Sequence, residues 1–217
     1  MRNGLSFVGP LLVIALPVFG VIVDRSAITV GNKVITDSEI TRRIRLEAFQ
    51  NGKLPDFSLT ARREAAQRLI DLRLVEREMD VGNYVPTPPA KATELLTVFT
   101  AEHFKGSAEA LKLSLAAIDL TPADLQAELA EQEDLLSFTS LRFRPAVEQP
   151  SDREIEEYYH NHIESQVKPG EMAPSLADLR GSIVGILSNE RADLDLDAWL
   201  RDQRKRIKIS YLESDLQ

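Results

Sequence analysis

The sequence predicts a mainly α protein with one small β-sheet, on three observations. Apolar residues recur at helical spacing over most of the chain, in segments opened by capping residues and closed by Gly, Asn or Pro. Only two short stretches alternate with the period of a strand, one behind the N-terminal segment and one close to the C-terminus. A lone strand is not stable, so those two regions are expected to pair in one sheet.

Each element has its own signals. Residues 27–30, Gly31-Asn32 and residues 33–36 read as a two-residue hairpin, because Gly and Asn tolerate the positive φ such turns need. Thr36 with Glu39 is a capping box opening a helix to about Phe49, ended by Asn51-Gly52 and Leu54-Pro55. A second helix spans about 60–79. Ala66, Leu69, Ile70 and Leu74 share one face of it, and Ala65, Leu72 and Met79 an adjoining one. Val81-Gly82-Asn83 closes it, and Pro86-Thr87-Pro88-Pro89 is a stiff linker.

A third helix, about 90–104, carries Ala92, Leu95, Leu96, Phe99 and His103 on one side. A fourth, about 107–118, carries Ala108, Leu111, Leu115 and Ile118. Thr121-Pro122-Ala123-Asp124 combines a cap, a first-turn proline and a first-turn acid, and starts a long helix to about Phe143. Pro145 and Pro150 bracket a short extended segment, and Ser151 with Glu154 caps a helix bearing Ile155, Tyr158, Tyr159 and Ile163. After a loop at 168–174, Ser175 begins a helix through Leu176, Leu179, Ile183, Ile186 and Leu187. Residues 194–206 continue as helix around Trp199 and Leu200. Residues 207–211 alternate as a half-buried strand.

Composition removes several function classes. The 217 residues carry a net charge of −8, no cysteine and three histidines. Without cysteine there is no disulfide framework, thiolate zinc site, iron–sulfur cluster or cysteine nucleophile. The acidic balance argues against nucleic acid as a partner, which needs a basic surface. Arg2 followed by the uncharged run from Leu5 to Val23 describes a secretory signal at residues 1–20, with cleavage between Gly20 and Val21. The run is also close to the roughly 20 residues that span a bilayer, so an uncleaved anchor to Val23 is the alternative. Either way the body, residues 21–217, is expected as a single unit in a periplasmic or otherwise extracytoplasmic compartment. It would touch a membrane only through an uncleaved leader.

No motif supports catalysis. His160 and His162, two apart on a helix, point away from each other and suit a solvated helix end better than a metal site. His103 reads as a core or boundary residue. Asp193, Asp195 and Asp197 resemble the start of a calcium loop. However, Ala198 and Arg204 stand where its glycine and glutamate would be, so a helix-start cluster of acids is the better reading. Glu128, Glu131, Glu133 and Asp134 are read as water-facing helix positions, not a catalytic dyad. Arg201, Arg204, Lys205, Arg206 and Lys208 suit a dipole-favourable helix end. No phosphate loop, nucleophile elbow or dinucleotide fingerprint is present, so no cofactor or metal is expected.

The order of segments resembles the SurA family of periplasmic chaperones. The leader followed by Val23-Asp24-Arg25 and the hairpin to Glu39-Ile40 looks like the family's start, and Arg68 to Val75 resembles its next helix. Thr121 to Arg144 resembles its long helix, followed by Pro150 to Tyr159. Leu196 to Tyr211, containing Trp199, looks like its C-terminal helix and strand. The family usually carries parvulin-type prolyl isomerase domains between the last two of these. Here residues 151–174 occupy that place, far short of the roughly one hundred residues such a domain needs.

The resemblance therefore implies a multi-helix chaperone core without the isomerase. It would be an ATP-independent holdase for unfolded or outer-membrane-type polypeptides, not an enzyme. Phe99, Phe104, Leu111, Leu115, Phe138 and Phe143, on the broad apolar faces of the third to fifth helices, are the candidate peptide-binding residues. The plain alternative is that they pack against one another. Two other functions remain open: a membrane-tethered assembly subunit with one dedicated partner, and a reduced prolyl isomerase.

Overall fold

The structure, a computed structural model, describes residues 24–146, 148–167 and 172–217. The expected leader and its cleavage point at Gly20 and Val21 lie outside these residues. No described helix is long and apolar enough to cross a membrane.

The protein is mainly α with a small antiparallel sheet, as the periodicity predicts. Strands β1 (Ser26–Val30) and β2 (Lys33–Thr36) form the hairpin, with Ile28 opposite Ile35 and Val30 opposite Lys33. Of the two turn residues only Gly31 takes a positive φ, 60°. The strand near the C-terminus, β3 (Ile209–Tyr211), pairs antiparallel with β1, giving the order β2-β1-β3. The expected pairing of the two alternating regions is present. The strand is shorter than its alternating pattern, since Ile207 caps the preceding helix. The Gly31 amide still donates to the Lys208 carbonyl at 2.9 Å.

Helix α1 (Asp37–Gln50) starts in the predicted capping box. The Thr36 N–H donates to Glu39 Oε2 at 2.9 Å, and the Glu39 N–H to Thr36 Oγ1 at 3.3 Å. Helix α2 (Leu59–Gly82) is longer than its apolar periodicity indicates. Ser58 accepts from the Ala61 amide and sets the start. Asn83, at φ 53°, ends the helix in the left-handed conformation that suits a C-terminal cap. Gly82 allows a close approach, because a Cβ there would lie 2.5 Å from the Tyr84 ring.

The sheet, α1 and α2 enclose the first core around Ile28, Ile35, Ile40, Ile44, Ala66 and Ile70. Helices α3 (Pro89–Phe104), α4 (Ala108–Ala116) and α5 (Pro122–Arg142) form a second core that also takes Leu46 from α1. Helix α1 therefore serves two cores.

Helix α6 (Asp152–His162) packs against the N-terminal half of α7 (Leu176–Arg206) around Ile155, Tyr159 and Ile183. Its cap acid Glu154 accepts from the Ser151 hydroxyl and amide and pairs with Arg191. Together these hold its carboxyl down to about 2. At 31 residues α7 is one continuous helix of about 46 Å. This corrects the reading of Asp193, Asp195 and Asp197, which lie within α7 and not at a helix start. The helix begins far upstream at Ser175, and no proline or cap interrupts it. Its C-terminal half returns to the body through Leu196, Trp199 and Leu200, against Val75, Met79 and Phe138.

Beyond β3, a single 3₁₀ turn (Ser214–Leu216) places Leu216 fully buried in the first core. Glu213, itself buried, takes Arg25 at 2.6 Å and Arg62 at 3.3 Å.

Candidate functional site: a cleft on helix α2

Helices α2, α5 and α7 do not close completely over one another. Between them and the end of α1 lies a cleft of about 510 Å³. Its apolar lining is Leu72 and Val75 from α2, Leu135 from α5, and Leu196 and Leu200 from α7. Its rim is polar, with Gln50, Arg68, Gln132 and Asp197 among the lining residues. Gln50 and Gln132 pair their amides across the α1–α5 edge at 3.2 and 3.5 Å. A second cavity of about 270 Å³ shares Leu72, Val75, Glu131 and Leu135 with the first and extends to Met79, Tyr84 and Pro86. Leu72, Val75 and Met79 therefore follow one another on one face of α2; Val75 and Met79 are buried against Phe138, and Leu72 stays partly exposed.

Helical spacing explains this lining. Leu72, Val75 and Met79 follow one another at intervals of three and four along α2. The same spacing on α5 brings Glu128, Glu131, Gln132 and Leu135 to the opposite wall. The aromatic cluster next to it fixes α7. Phe138 meets Trp199 at 5.4 Å between ring centroids, and Arg142 lies 5.4 Å from the Trp199 ring while bonding Glu78 at 2.8 Å. The Trp199 indole N–H is buried and has no hydrogen-bond partner among the described residues. At the C-terminal end of α7, Arg204 bonds Asp71 Oδ1 at 2.8 Å and the Gln67 carbonyl at 3.0 Å. Arg204 thus tethers α7 to α2 beside the cleft.

A charged cluster separates this cleft from a smaller cavity of about 220 Å³ beside α1. Arg43 pairs with Glu128 and, at 2.8 Å, with Glu131. Arg73 pairs with Glu39 at 2.5 Å and Glu76 at 2.8 Å. Burial pushes the Glu131 carboxyl up, against the pull of Arg43, and the neighbouring Glu128 adds to the rise. Burial likewise raises Glu76, with Arg73 and Lys33 opposing. Glu128 is only 3% exposed, which corrects its reading as a water-facing position. It sits three residues from Leu125, so it falls on the apolar stripe of α5, and the Arg43 guanidinium from α1, with the Gln132 side-chain amide donating at 2.9 Å, makes that burial tolerable.

The six predicted peptide-binding residues occupy other places. Phe99, Phe104, Leu111 and Leu115 meet in the second core, where Phe49 lies 6.1 Å from Phe99 and 6.0 Å from Phe104. Phe138 and Phe143 pack with Trp199. Leu115 and Phe138 are fully buried. None of the six lines the three cavities described above. Broad apolar faces on neighbouring helices are satisfied by each other, which leaves the cleft to be lined by α2, α5 and α7.

The histidines are peripheral. His103 is exposed, its ring 4.4 Å from Phe99, which corrects its reading as a core or boundary residue. His160 pairs with Glu164, and His162 stacks on Tyr158 at 4.4 Å, both on the exposed end of α6. No group of three or more potential metal ligands lies together among the described residues. The sequence points to Leu72 and Met79 as an apolar face of α2. It carries no sign of Leu196 and Leu200 as the facing wall, since that depends on where α7 returns. Comparison with models of known protein families finds no match, and comparison with curated proteins finds none either.

Proposed function

We propose that the protein is an ATP-independent extracytoplasmic holdase that binds unfolded polypeptide segments in the cleft along α2. The observation that carries this reading is the cleft's partly exposed apolar lining of Leu72, Leu135, Leu196 and Leu200 under a polar rim. Such a lining accepts apolar side chains while the rim keeps the rest of a bound chain in contact with water. Binding an unfolded chain lowers its free concentration and so suppresses its aggregation, without any chemical step, nucleotide or cofactor. The uncharged run from Leu5 to Val23 supports export, and the segment order resembling SurA-type chaperones supports the client class.

The test uses the chain lacking residues 1–20 and an unfolded outer-membrane-type polypeptide. Aggregation, followed by light scattering, should fall at several-fold molar excess without nucleotide. A photoreactive phenylalanine analogue at Gln132, on the cleft rim, should crosslink to the client, whereas one at Leu113, exposed on α4, should not. Undiminished aggregation overturns the reading. Equal crosslinking at both positions overturns the assignment to this cleft.

A further inference from the structure

The charges around the cleft are unevenly matched. Each cation lining its two cavities already has an acidic partner. Arg43 carries Glu128 and Glu131, Arg68 pairs with Glu47 and Glu64, and Lys33 lies near Glu76 and Asp80. The acids are in excess. Glu128 and Glu131 divide one guanidinium, while Asp134 and Asp197 have no ion-pair partner among the described residues. Asp134 is nonetheless held in place, accepting from the Thr87 amide at 2.6 Å and the Thr87 hydroxyl at 2.5 Å. Glu131 lines both cavities, with Asp197 on the rim of one and Asp134 on the rim of the other.

Resting on the holdase reading, we propose that the cleft selects segments in which Lys or Arg alternates with apolar residues, and rejects acidic ones. The apolar lining of the cleft that stays partly exposed is Leu72 from α2, Leu135 from α5, and Leu196 and Leu200 from α7. An extended chain puts alternate side chains on one face, so its apolar ones face this lining together. The intervening Lys or Arg has a stem long enough to lie over apolar surface and bring its charge to the acidic rim. An Asp or Glu in the same place would face Glu131, Asp134 and Asp197 with no unpaired cation to receive it.

The experiment measures fluorescence anisotropy of labelled octapeptides alternating Leu or Val with Lys, Ser or Glu, on the chain lacking residues 1–20. The Lys peptide should bind about tenfold tighter than the Ser peptide, the gain of a charge-assisted bond at a partly buried carboxylate. The Glu peptide should bind more weakly than both. Asp134→Asn and Asp197→Asn should each lower the ratio of Lys-peptide to Ser-peptide affinity. Glu109→Gln, a surface acid outside the cleft, should change neither.

Asp197 is exposed, so its variant tests the inference with the fold intact. Equal binding of Lys and Ser peptides overturns the charge selection and leaves the holdase reading standing. A Lys/Ser peptide without apolar residues that binds as tightly as the Leu/Lys peptide also overturns it, because general attraction to an acidic protein would then suffice. If no peptide binds, the selection fails, and the aggregation assay decides the holdase reading separately.

Discussion

At the scale of single residues, the Arg43–Glu128–Glu131 group joins stability to the cleft. Glu128 is buried and Arg43 nearly so, with 13% of its side chain exposed. Glu128→Ala would leave the guanidinium with one partly exposed partner. The expected loss is about 3 kcal/mol in urea unfolding, the usual consequence of removing one member of a buried pair. Replacing both residues by apolar ones, as in Arg43→Met with Glu128→Leu, should recover most of that loss.

Glu131 behaves in the opposite sense. Its folded-state pKa is raised, so the folded protein holds the proton more tightly than the unfolded chain does. Its contribution to stability is therefore greatest in acid and declines as pH rises from the unfolded value through the raised folded one. Glu131→Gln removes that decline. Its unfolding midpoint relative to the parent should be equal or higher at pH 7, with the relative gain shrinking towards pH 4. A lower midpoint at pH 7 would show that the bond to Arg43 outweighs the burial of the carboxylate.

At the scale of elements, the β1–β2 turn and α7 show how local signals are completed by neighbours. Gly31 carries the positive φ of the turn, and its amide also bonds the Lys208 carbonyl ahead of β3. Gly31→Ala should destabilise the protein by about 1–2 kcal/mol in urea unfolding, because at that φ an alanine Cβ crowds the following carbonyl oxygen. Neighbouring side chains are not the obstacle, since a Cβ there would meet Ile207 at an ordinary 3.5 Å. Helix α7 is held at its C-terminal half by Trp199, Leu200 and Arg204 and at its N-terminal half by α6. Its start at Ser175 and its basic last turn, Arg204, Lys205 and Arg206, are legible as capping and dipole signals. Its continuation through residues 194–206 is legible too; the place of Asp193, Asp195 and Asp197 is not, because acids look equally at home in a first turn and on a solvated helix face.

At the scale of the whole molecule, segments distant in sequence complete one core. β3 lies on the open edge of β1, Leu216 fills the first core, and Glu213 binds Arg25 and Arg62. Leu216→Ala should cost about 2–4 kcal/mol, the range for a large buried side chain replaced by alanine. Thermal unfolding monitored by the helical circular-dichroism signal would measure it. If the shift is small, the tail is an accessory and the hairpin, α1 and α2 form their core without it.

The sequence alone determined the mainly α class, the order of the elements, most helix starts and the partner of the C-terminal strand. These follow from caps, periodicity and turn residues, which act over a few positions and need no knowledge of the rest of the chain. Only the tertiary structure decided which apolar faces are spent on one another and which stay open. Leu111, Leu115 and Phe138 lie on stripes as promising as that of Leu72, yet they meet partners and disappear into cores. The same holds for Glu128, an ordinary helix acid until α1 brings Arg43 against it. Amphipathic spacing states that a face must be covered; helix packing states by what, and so where a cleft is left.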